Sequence, residues 1–166
     1  MLKNTRRLAF VVMSMAGLLI ALSVPAHAAS NQLSGKAFVD TVGACPAPPD
    51  GYDGFPPIVM TGSLTGCWYT KKLSSKQTSS GVYLETGQEL FVGSLNGGAE
   101  GTFGTTYRFE SKFDPDAATP TEIRGRCQHP IVTGTDDFAG ATGRVDFKDI
   151  IGVPVTYVYR GHISLR

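Results

Sequence analysis

The sequence predicts an all-β fold in which seven or eight antiparallel strands close into a small barrel. The chain has 20 glycines and lacks the alanine-rich amphipathic stretches that form helices. Alternating apolar and polar runs recur along it, and short glycine, serine or proline turns separate them. Within 131–148, which reads IVTGTDDFAGATGRVDFK, two strand-like runs are joined through a glycine-rich turn that holds one aromatic residue, Phe138.

The first half of the chain predicts two strands and a long loop between them. A strand at 33–42 precedes a proline-rich segment at 43–57, which we interpret as a long ordered loop or a lid. A single long strand is predicted at 58–72, and the serine-rich segment 74–80 is predicted to be a turn.

The second half predicts the remaining strands with short connections. Residues 81–95 form one bent strand or a strand pair, with a bulge predicted at Gly87, and Asn96-Gly97-Gly98 is a turn. Further strands are predicted at 101–113, 121–132, 143–150 and 155–165. Such a set must close or stack, because an open sheet leaves its edge strands unpaired. Strands of this length favour a barrel.

Residues 1–28 are predicted to be a cleaved secretory signal peptide. Three basic residues precede an uncharged apolar run at 8–24, and Ala26-His27-Ala28 places small residues where a signal peptidase reads them. An uncleaved membrane anchor is the alternative, although the run is short for a bilayer span. We therefore expect one domain at 29–166, secreted to an extracellular or periplasmic location and without stable membrane association after cleavage.

Charge and motifs exclude several classes of partner. Beyond residue 28 the chain keeps 12 basic and 14 acidic residues, so its net charge is −2 with histidine neutral. It has no basic patch, which argues against nucleic acid and anionic membranes as partners. It also lacks the nucleophile-elbow, phosphate-loop and zinc-protease motifs, and we predict neither a cofactor nor a metal.

Three cysteines, Cys45, Cys67 and Cys127, allow three single disulfides and leave one thiol over. Alternation predicts that Cys67 points outward from its strand and that Cys127 points inward. A direct bridge between these two is awkward, because their Cβ vectors would diverge. Cys45 lies in a long loop that can extend to the outward-facing Cys67, so a Cys45–Cys67 bridge is favoured.

The glycine-rich turn after residue 131 has a specific sequence pattern: Gly134-Thr135, Phe138, Gly140-Ala141 and Gly143. A strand at 144–147 follows, and 157–161 would belong to a closing strand. This arrangement resembles the allene oxide cyclase barrel-like superfamily, which includes the plant dirigent proteins, although Thr133 and Asp136 replace two glycines of its pattern. The chain is most similar to bacterial exported members of that group.

The resemblance implies a closed, antiparallel, eight-stranded barrel with a central cavity that holds a largely apolar ligand. Because plant members assemble through barrel surfaces, it also implies a homo-oligomer. It transfers no catalytic residue to this chain.

Large aromatic residues that alternate onto the inner face are candidates to line the cavity: Trp68, Tyr107, Phe109, Tyr157 and Tyr159. A role as ordinary core residues is the alternative for each of them.

Three residues are candidates for acid–base catalysis: His129, Glu110 and Glu85. Each also has a structural interpretation. A buried histidine commonly bonds a backbone carbonyl, and Glu85 with Glu89 could belong to a charged strand edge. Glu110 alternates with core residues, which favours outward cross-strand pairs with nearby arginines.

Three functions fit such a barrel. The first is a secreted protein that binds a small apolar or aromatic molecule in its lumen, with no defined reaction. The second is a cyclase or isomerase that acts on a hydrophobic substrate. The third is a non-catalytic, structural or oligomeric barrel with a filled interior.

Overall fold

Eight antiparallel strands make up most of the chain that the computed structural model describes, which comprises residues 30–114, 116–119 and 121–166. The predicted signal peptide at 1–28 lies outside the described residues. The strands are β1 (Ser30–Val39), β2 (Ile58–Gly62), β3 (Leu64–Gln77), β4 (Val82–Leu95), β5 (Glu100–Phe113), β6 (Glu122–Asp136), β7 (Thr142–Ile150) and β8 (Thr156–Ser164). Within these ranges no helix is long and apolar enough to cross a bilayer.

The sheet closes on itself. Every strand pairs with its neighbours in sequence, and β1 pairs with β8 from Ser30↔Ser164 to Phe38↔Thr156. Closure gives every strand two neighbours, which reduces the unpaired backbone available for intermolecular strand pairing. The prediction of an all-β, closed, eight-stranded antiparallel barrel is therefore confirmed.

The single strand predicted at 58–72 is wrong, because the chain breaks there into β2 and β3. Gly62 has a φ of +106°, a left-handed conformation that side chains other than glycine rarely adopt. The turn is held against β1, where the Ser63 amide donates to the Ser34 carbonyl (2.9 Å) and the Ser34 amide donates to Ser63 Oγ (3.0 Å).

Residues 74–77, predicted to lie in a turn, continue β3 instead. Pairing with β4 outweighs their poor strand propensity, and Gln77 still lies opposite Tyr83. The register shift lies in β3 between Lys72 and Ser74, so the bulge forms across from the predicted site at Gly87. Leu73, the extra residue, is exposed.

One end of the barrel is filled by aromatic rings. Phe138, from the β6–β7 turn, is fully buried, and its ring centroid lies 5.8 Å from that of Phe91 and 5.1 Å from that of Phe103. The Trp68 ring packs on the same two phenylalanines, at 6.1 and 5.7 Å. The interior is therefore solid from Phe138 up to Trp68.

The other end is open, and the 40–57 loop completes its wall. The first residue of β2, Ile58, pairs with Trp68, so the rest of β3 extends towards the mouth without β2 beside it. The loop covers this free edge: Asp53 forms a bridge with Thr70, and the Gly54 amide donates to the Thr70 carbonyl (2.8 Å).

A disulfide fastens the same loop to the outside of β3. Cys45 and Cys67 are bonded, with their Cα atoms 5.8 Å apart, as the alternation argument predicted. Nearby, the Tyr69 hydroxyl donates to the Pro46 carbonyl (3.2 Å). Cys127 is a buried free thiol.

The aromatic plug predicts a large effect of truncation at its centre. We expect Phe138→Ala to lower the free energy of unfolding by about 3–5 kcal/mol, because a buried ring is replaced by a cavity. Phe38→Ala, at a position 40% exposed on β1, should cost much less. Urea denaturation of residues 29–166 measures both, and equal costs would show that the plug does not support the barrel.

Candidate functional site

A cavity of about 490 Å³ occupies the lumen between Trp68 and the open end. This volume lies within the range of small-molecule sites, about 300–1,000 Å³. Its lining combines a majority of apolar side chains with a few acids: Val39, Phe55, Pro56, Ile58, Trp68, Thr70, Gln77, Tyr83, Glu85, Glu89, Tyr107, Phe109, Phe113, Glu122, Cys127, His129, Phe147, Asp149, Val155 and Tyr157.

Four of the five aromatic residues predicted to line a cavity do so: Trp68, Tyr107, Phe109 and Tyr157. Trp68 forms the floor. Tyr159 lies deeper, in the solid core, where its hydroxyl accepts a hydrogen bond from the Leu64 amide (2.8 Å) and donates to the Thr61 carbonyl (3.1 Å). Tyr159 therefore contributes to core packing and does not line the cavity.

On β4, the spacing Glu85-x-Gly87-x-Glu89 places two carboxylates on the inner face with a gap between them. Glu85 is 2% exposed and Glu89 is 6% exposed. Tyr107 lies opposite Gly87, and a Cβ at Gly87 would overlap its ring. The glycine therefore makes room for the tyrosine ring, and the Tyr107 hydroxyl reaches Glu85 Oε1 at 2.7 Å.

Glu85 accepts hydrogen bonds from two tyrosines. Tyr107 donates to Oε1, and Tyr83 donates to Oε2 at 2.5 Å. Burial raises the pKa of both phenols, and the hydrogen bonds to Glu85 raise the pKa of each further. Both hydroxyls therefore stay protonated and available as donors to the carboxylate.

At the mouth, the Lys72 ammonium lies 3.9 Å from Glu85 Oε2 and 6.0 Å from the centroid of the Phe55 ring. The Lys72 side chain is 44% exposed, so this ion pair borders solvent. Ion pairs of this kind are weak and readily broken.

His129 and Glu89 meet across the cavity floor. His129 is 2% exposed, its Nε2 lies 2.8 Å from Glu89 Oε2, and its Nδ1 lies 2.8 Å from the Val145 carbonyl oxygen. Thr70 Oγ1 donates to the other carboxylate oxygen, Glu89 Oε1, at 3.0 Å. The contact between Glu89 Oε2 and Nε2 is short but poorly aligned. Glu89 Oε2 therefore has no hydrogen-bond partner among the described residues.

The Val145 carbonyl fixes the proton arrangement of this pair. A carbonyl oxygen only accepts, so His129 Nδ1 must carry a hydrogen. A second proton, on Nε2 or on Glu89, relieves the repulsion that an unprotonated nitrogen and a carboxylate oxygen would have at 2.8 Å. The pair is then neutral overall, as imidazole with carboxylic acid or as imidazolium with carboxylate, and these are the side chains that acid–base catalysis most often uses.

A third acidic group lies higher in the lumen, where Asp149 on β7 is hydrogen-bonded to Glu122 on β6. Burial, together with the charge and hydrogen bond of Glu122, raises the pKa of Asp149 to about 7. Ser111 Oγ donates to Glu122 Oε1 at 2.5 Å. Both carboxylates lie over Gly125, where a Cβ would overlap them, so a side chain at this position would displace the acid pair.

Cys127 lines the cavity as a thiol. Burial strongly raises its pKa, and the negative charges of Glu89 and Asp149 raise it further. The thiolate is the reactive form of cysteine, so this side chain is not a nucleophile at physiological pH.

Glu110, the remaining candidate for acid–base catalysis, lies on the outside of the barrel. It is 34% exposed and pairs with Arg126, whose Nη2 is 3.4 Å from Glu110 Oε1. The neighbouring Phe109 points into the lumen, so strand alternation directs Glu110 outward. The structure therefore brings Glu85 and His129 into one cavity and leaves Glu110 outside it.

Sequence reasoning missed the acid pair and the partner of His129. Asp149 was detectable, because it continues the inward alternation of Val145 and Phe147 along β7. Glu122 was not, since a register shift near the start of β6 turns Ile123 outward and Glu122 inward. The Glu89–His129 contact joins β4 to β6, which are not neighbours in the sheet.

Comparison of the chain with protein-family models, curated proteins and solved structures finds no match.

The raised pKa of Asp149 predicts how stability depends on pH. Between about pH 4 and pH 7 the folded state binds more protons than the unfolded chain, so the free energy of unfolding falls as pH rises through this window. We expect Asp149→Asn to reduce that fall by about 2 kcal/mol.

Urea denaturation at about pH 5 and pH 8 measures this effect. Asp50→Asn, in the exposed part of the 40–57 loop, is the matched control and should keep the wild-type pH dependence. An unchanged pH dependence in Asp149→Asn would contradict the assignment.

Proposed function

We propose that this chain is an exported barrel that binds a small molecule with an apolar or aromatic body in its lumen. The observation that supports the proposal best is the 490 Å³ cavity with aromatic walls, open at one end and closed by Trp68 at the other. Stable cores rarely keep so large a void between aromatic side chains, because unfilled space forfeits packing energy. A purely structural, filled barrel does not account for it.

Export and family are part of the same proposal. The Cys45–Cys67 disulfide fits a protein that matures in an oxidising compartment, in agreement with the signal peptide predicted at 1–28. Closure by eight strands is the architecture that the resemblance to the allene oxide cyclase barrel-like superfamily implies. We therefore propose a bacterial exported member of that group, assembled as a homo-oligomer, and light scattering on residues 29–166 tests the assembly.

The chain contains a natural reporter for lumen binding, because Trp68 is its single tryptophan and forms the cavity floor. We expect the neutral aromatic probe N-phenyl-1-naphthylamine to quench Trp68 fluorescence saturably, with a dissociation constant in the micromolar range. Energy transfer from Trp68 to the bound probe should appear in the same titration.

Two valines provide a matched pair of variants for this titration. Val155 lines the cavity near its mouth, whereas Val153 is fully exposed and does not line it. We expect Val155→Phe to weaken probe binding about tenfold, because the ring narrows the entrance, and Val153→Phe to bind as the wild type does. Absence of saturable quenching in the wild type would refute lumen binding.

A second function, an isomerase or cyclase with acid–base chemistry, is favoured by the Glu89–His129 pair at the cavity floor. A neutral pair that shares one proton can give a proton to a bound molecule and take one back. Such an enzyme should lose turnover in His129→Gln but keep its affinity for the lumen ligand. If turnover persisted in this variant, the pair would have no catalytic role.

A further inference from the structure

The acids of the lumen have too few cationic partners. Four carboxylates line the cavity: Glu85, Glu89, Glu122 and Asp149. Among the described residues His129 is the one basic side chain that lines it, and Lys72 reaches Glu85 only from the mouth. Buried carboxylates normally pair with a cation or with enough hydrogen-bond donors, so this imbalance needs an explanation.

Internal pairing removes only part of the negative charge. The Glu89–His129 pair is neutral, and Glu122 and Asp149 hold one proton between them when their hydrogen bond forms. Glu85 accepts hydrogen bonds from two neutral hydroxyls and forms an ion pair with Lys72 at the mouth, at 3.9 Å. The negative charge that no cation balances is that of the Glu122–Asp149 pair. The lumen therefore keeps net negative charge at neutral pH.

A buried acceptor in the lumen also lacks a well-aligned donor. Glu89 Oε2, on a residue 6% exposed, has no hydrogen-bond partner among the described residues apart from its poorly aligned contact with His129. Because Glu89 lines the cavity, this oxygen is available to a guest. An unsatisfied acceptor in such a position favours a ligand that brings positive charge or a hydrogen-bond donor.

The mouth of the cavity already holds an ammonium group from the chain itself. Lys72 Nζ lies between Glu85 Oε2 and the face of the Phe55 ring, at 3.9 and 6.0 Å. Proteins recognise organic ammonium ions on the faces of aromatic rings, and a nearby carboxylate adds charge attraction. Because Lys72 is half exposed, its side chain can swing into solvent and leave this place to a ligand.

We propose that the lumen selects an organic cation, namely an ammonium group on an aromatic or apolar body, and that the ammonium group displaces Lys72 from Glu85. The inference rests on the proposed function, because it names the ligand class of the same cavity. The apolar body lies against Trp68, Phe109 and Phe147, and the charged group faces the carboxylates. A carboxylate or sulfonate ligand is disfavoured, since it would meet like charges in a poorly solvated space.

Three probes of matched size separate the possibilities: phenyltrimethylammonium, its neutral isostere tert-butylbenzene, and the anion benzenesulfonate. The quaternary ammonium carries no acidic proton, so its charge is constant with pH. Quenching of Trp68 reports binding of each probe to residues 29–166. We expect the cation to bind at least about tenfold tighter than the neutral isostere, and the anion to bind more weakly than either.

The outcomes distinguish this inference from the proposed function. Equal affinity for the cation and the neutral isostere, or tighter binding of the anion, would overturn the cation proposal and leave lumen binding standing. If neither these probes nor N-phenyl-1-naphthylamine quench Trp68 saturably, both proposals fall.

Removal of the Lys72 ammonium group is expected to strengthen ligand binding, whereas most substitutions in a binding site weaken it. Lys72→Met frees Glu85, and we expect it to tighten phenyltrimethylammonium binding severalfold with little effect on tert-butylbenzene. Lys76→Met removes the same charge from an exposed position on the same strand and should change neither affinity appreciably. Weaker cation binding in Lys72→Met would overturn the displacement step.

Glu85→Gln tests the acceptor itself and should weaken cation binding about tenfold while tert-butylbenzene binds as before. Urea denaturation establishes that this variant folds. If it does not, Tyr83→Phe takes its place, because removal of one donor loosens Glu85 without removing its charge. Unchanged selectivity in a folded Glu85→Gln would contradict the role of Glu85.

The pH dependence of phenyltrimethylammonium binding belongs to the protein alone. Asp149 faces Glu122 and Cys127 from β6 and Tyr157 from β8. Because burial and the neighbouring acids raise the pKa of Cys127 and of Tyr157, these two side chains keep their protons, and among the groups around Asp149 the acid pair changes its charge near neutral pH. We expect affinity to rise from about pH 6 to pH 8 and this rise to flatten in Asp149→Asn. A fall in affinity over that range would contradict the proposal.

Discussion

Hydrogen bonding between β1 and β8 is the constraint on which the rest of the structure depends. Once these strands pair, the sheet is a cylinder, and each side chain belongs either to the lumen or to solvent according to its place in the strand alternation. Glu85 and Glu110 illustrate the result. They have the same chemistry and lie on neighbouring strands, yet one is buried beside two tyrosines and the other pairs with an arginine in solvent.

Register shifts decide the exceptions to this alternation. Three residues lie at such shifts, and all are large apolar side chains that point outward: Leu73, Ile123 and Val132. Each shift reverses the inside–outside pattern for the residues beyond it. One of them brings Glu122 to Asp149, and another keeps Lys76 out of the lumen and admits Gln77. The acidity of the cavity is therefore set partly by backbone irregularities.

Much of the fold was predictable because it depends on local sequence patterns. Alternation and turn glycines predicted seven or eight strands, and the opposite orientations of Cys67 and Cys127 led to the Cys45–Cys67 bridge. The break at Gly62 and the extension of β3 to Gln77 depend on pairing with β1 and β4, which local propensity does not contain. The pairing of His129 with Glu89 depends on the curvature that brings β4 and β6 face to face across the lumen.

The floor formed by Trp68 and the phenylalanines beneath it has a kinetic consequence. Because the cavity opens at one end only, water must leave through the same opening by which a ligand enters. That opening lies beside the proline-rich 40–57 loop. The depth available to a guest is fixed by aromatic rings that pack against one another. In a homologous series of guests, affinity should therefore grow with length only until the tail touches the indole, and then stop.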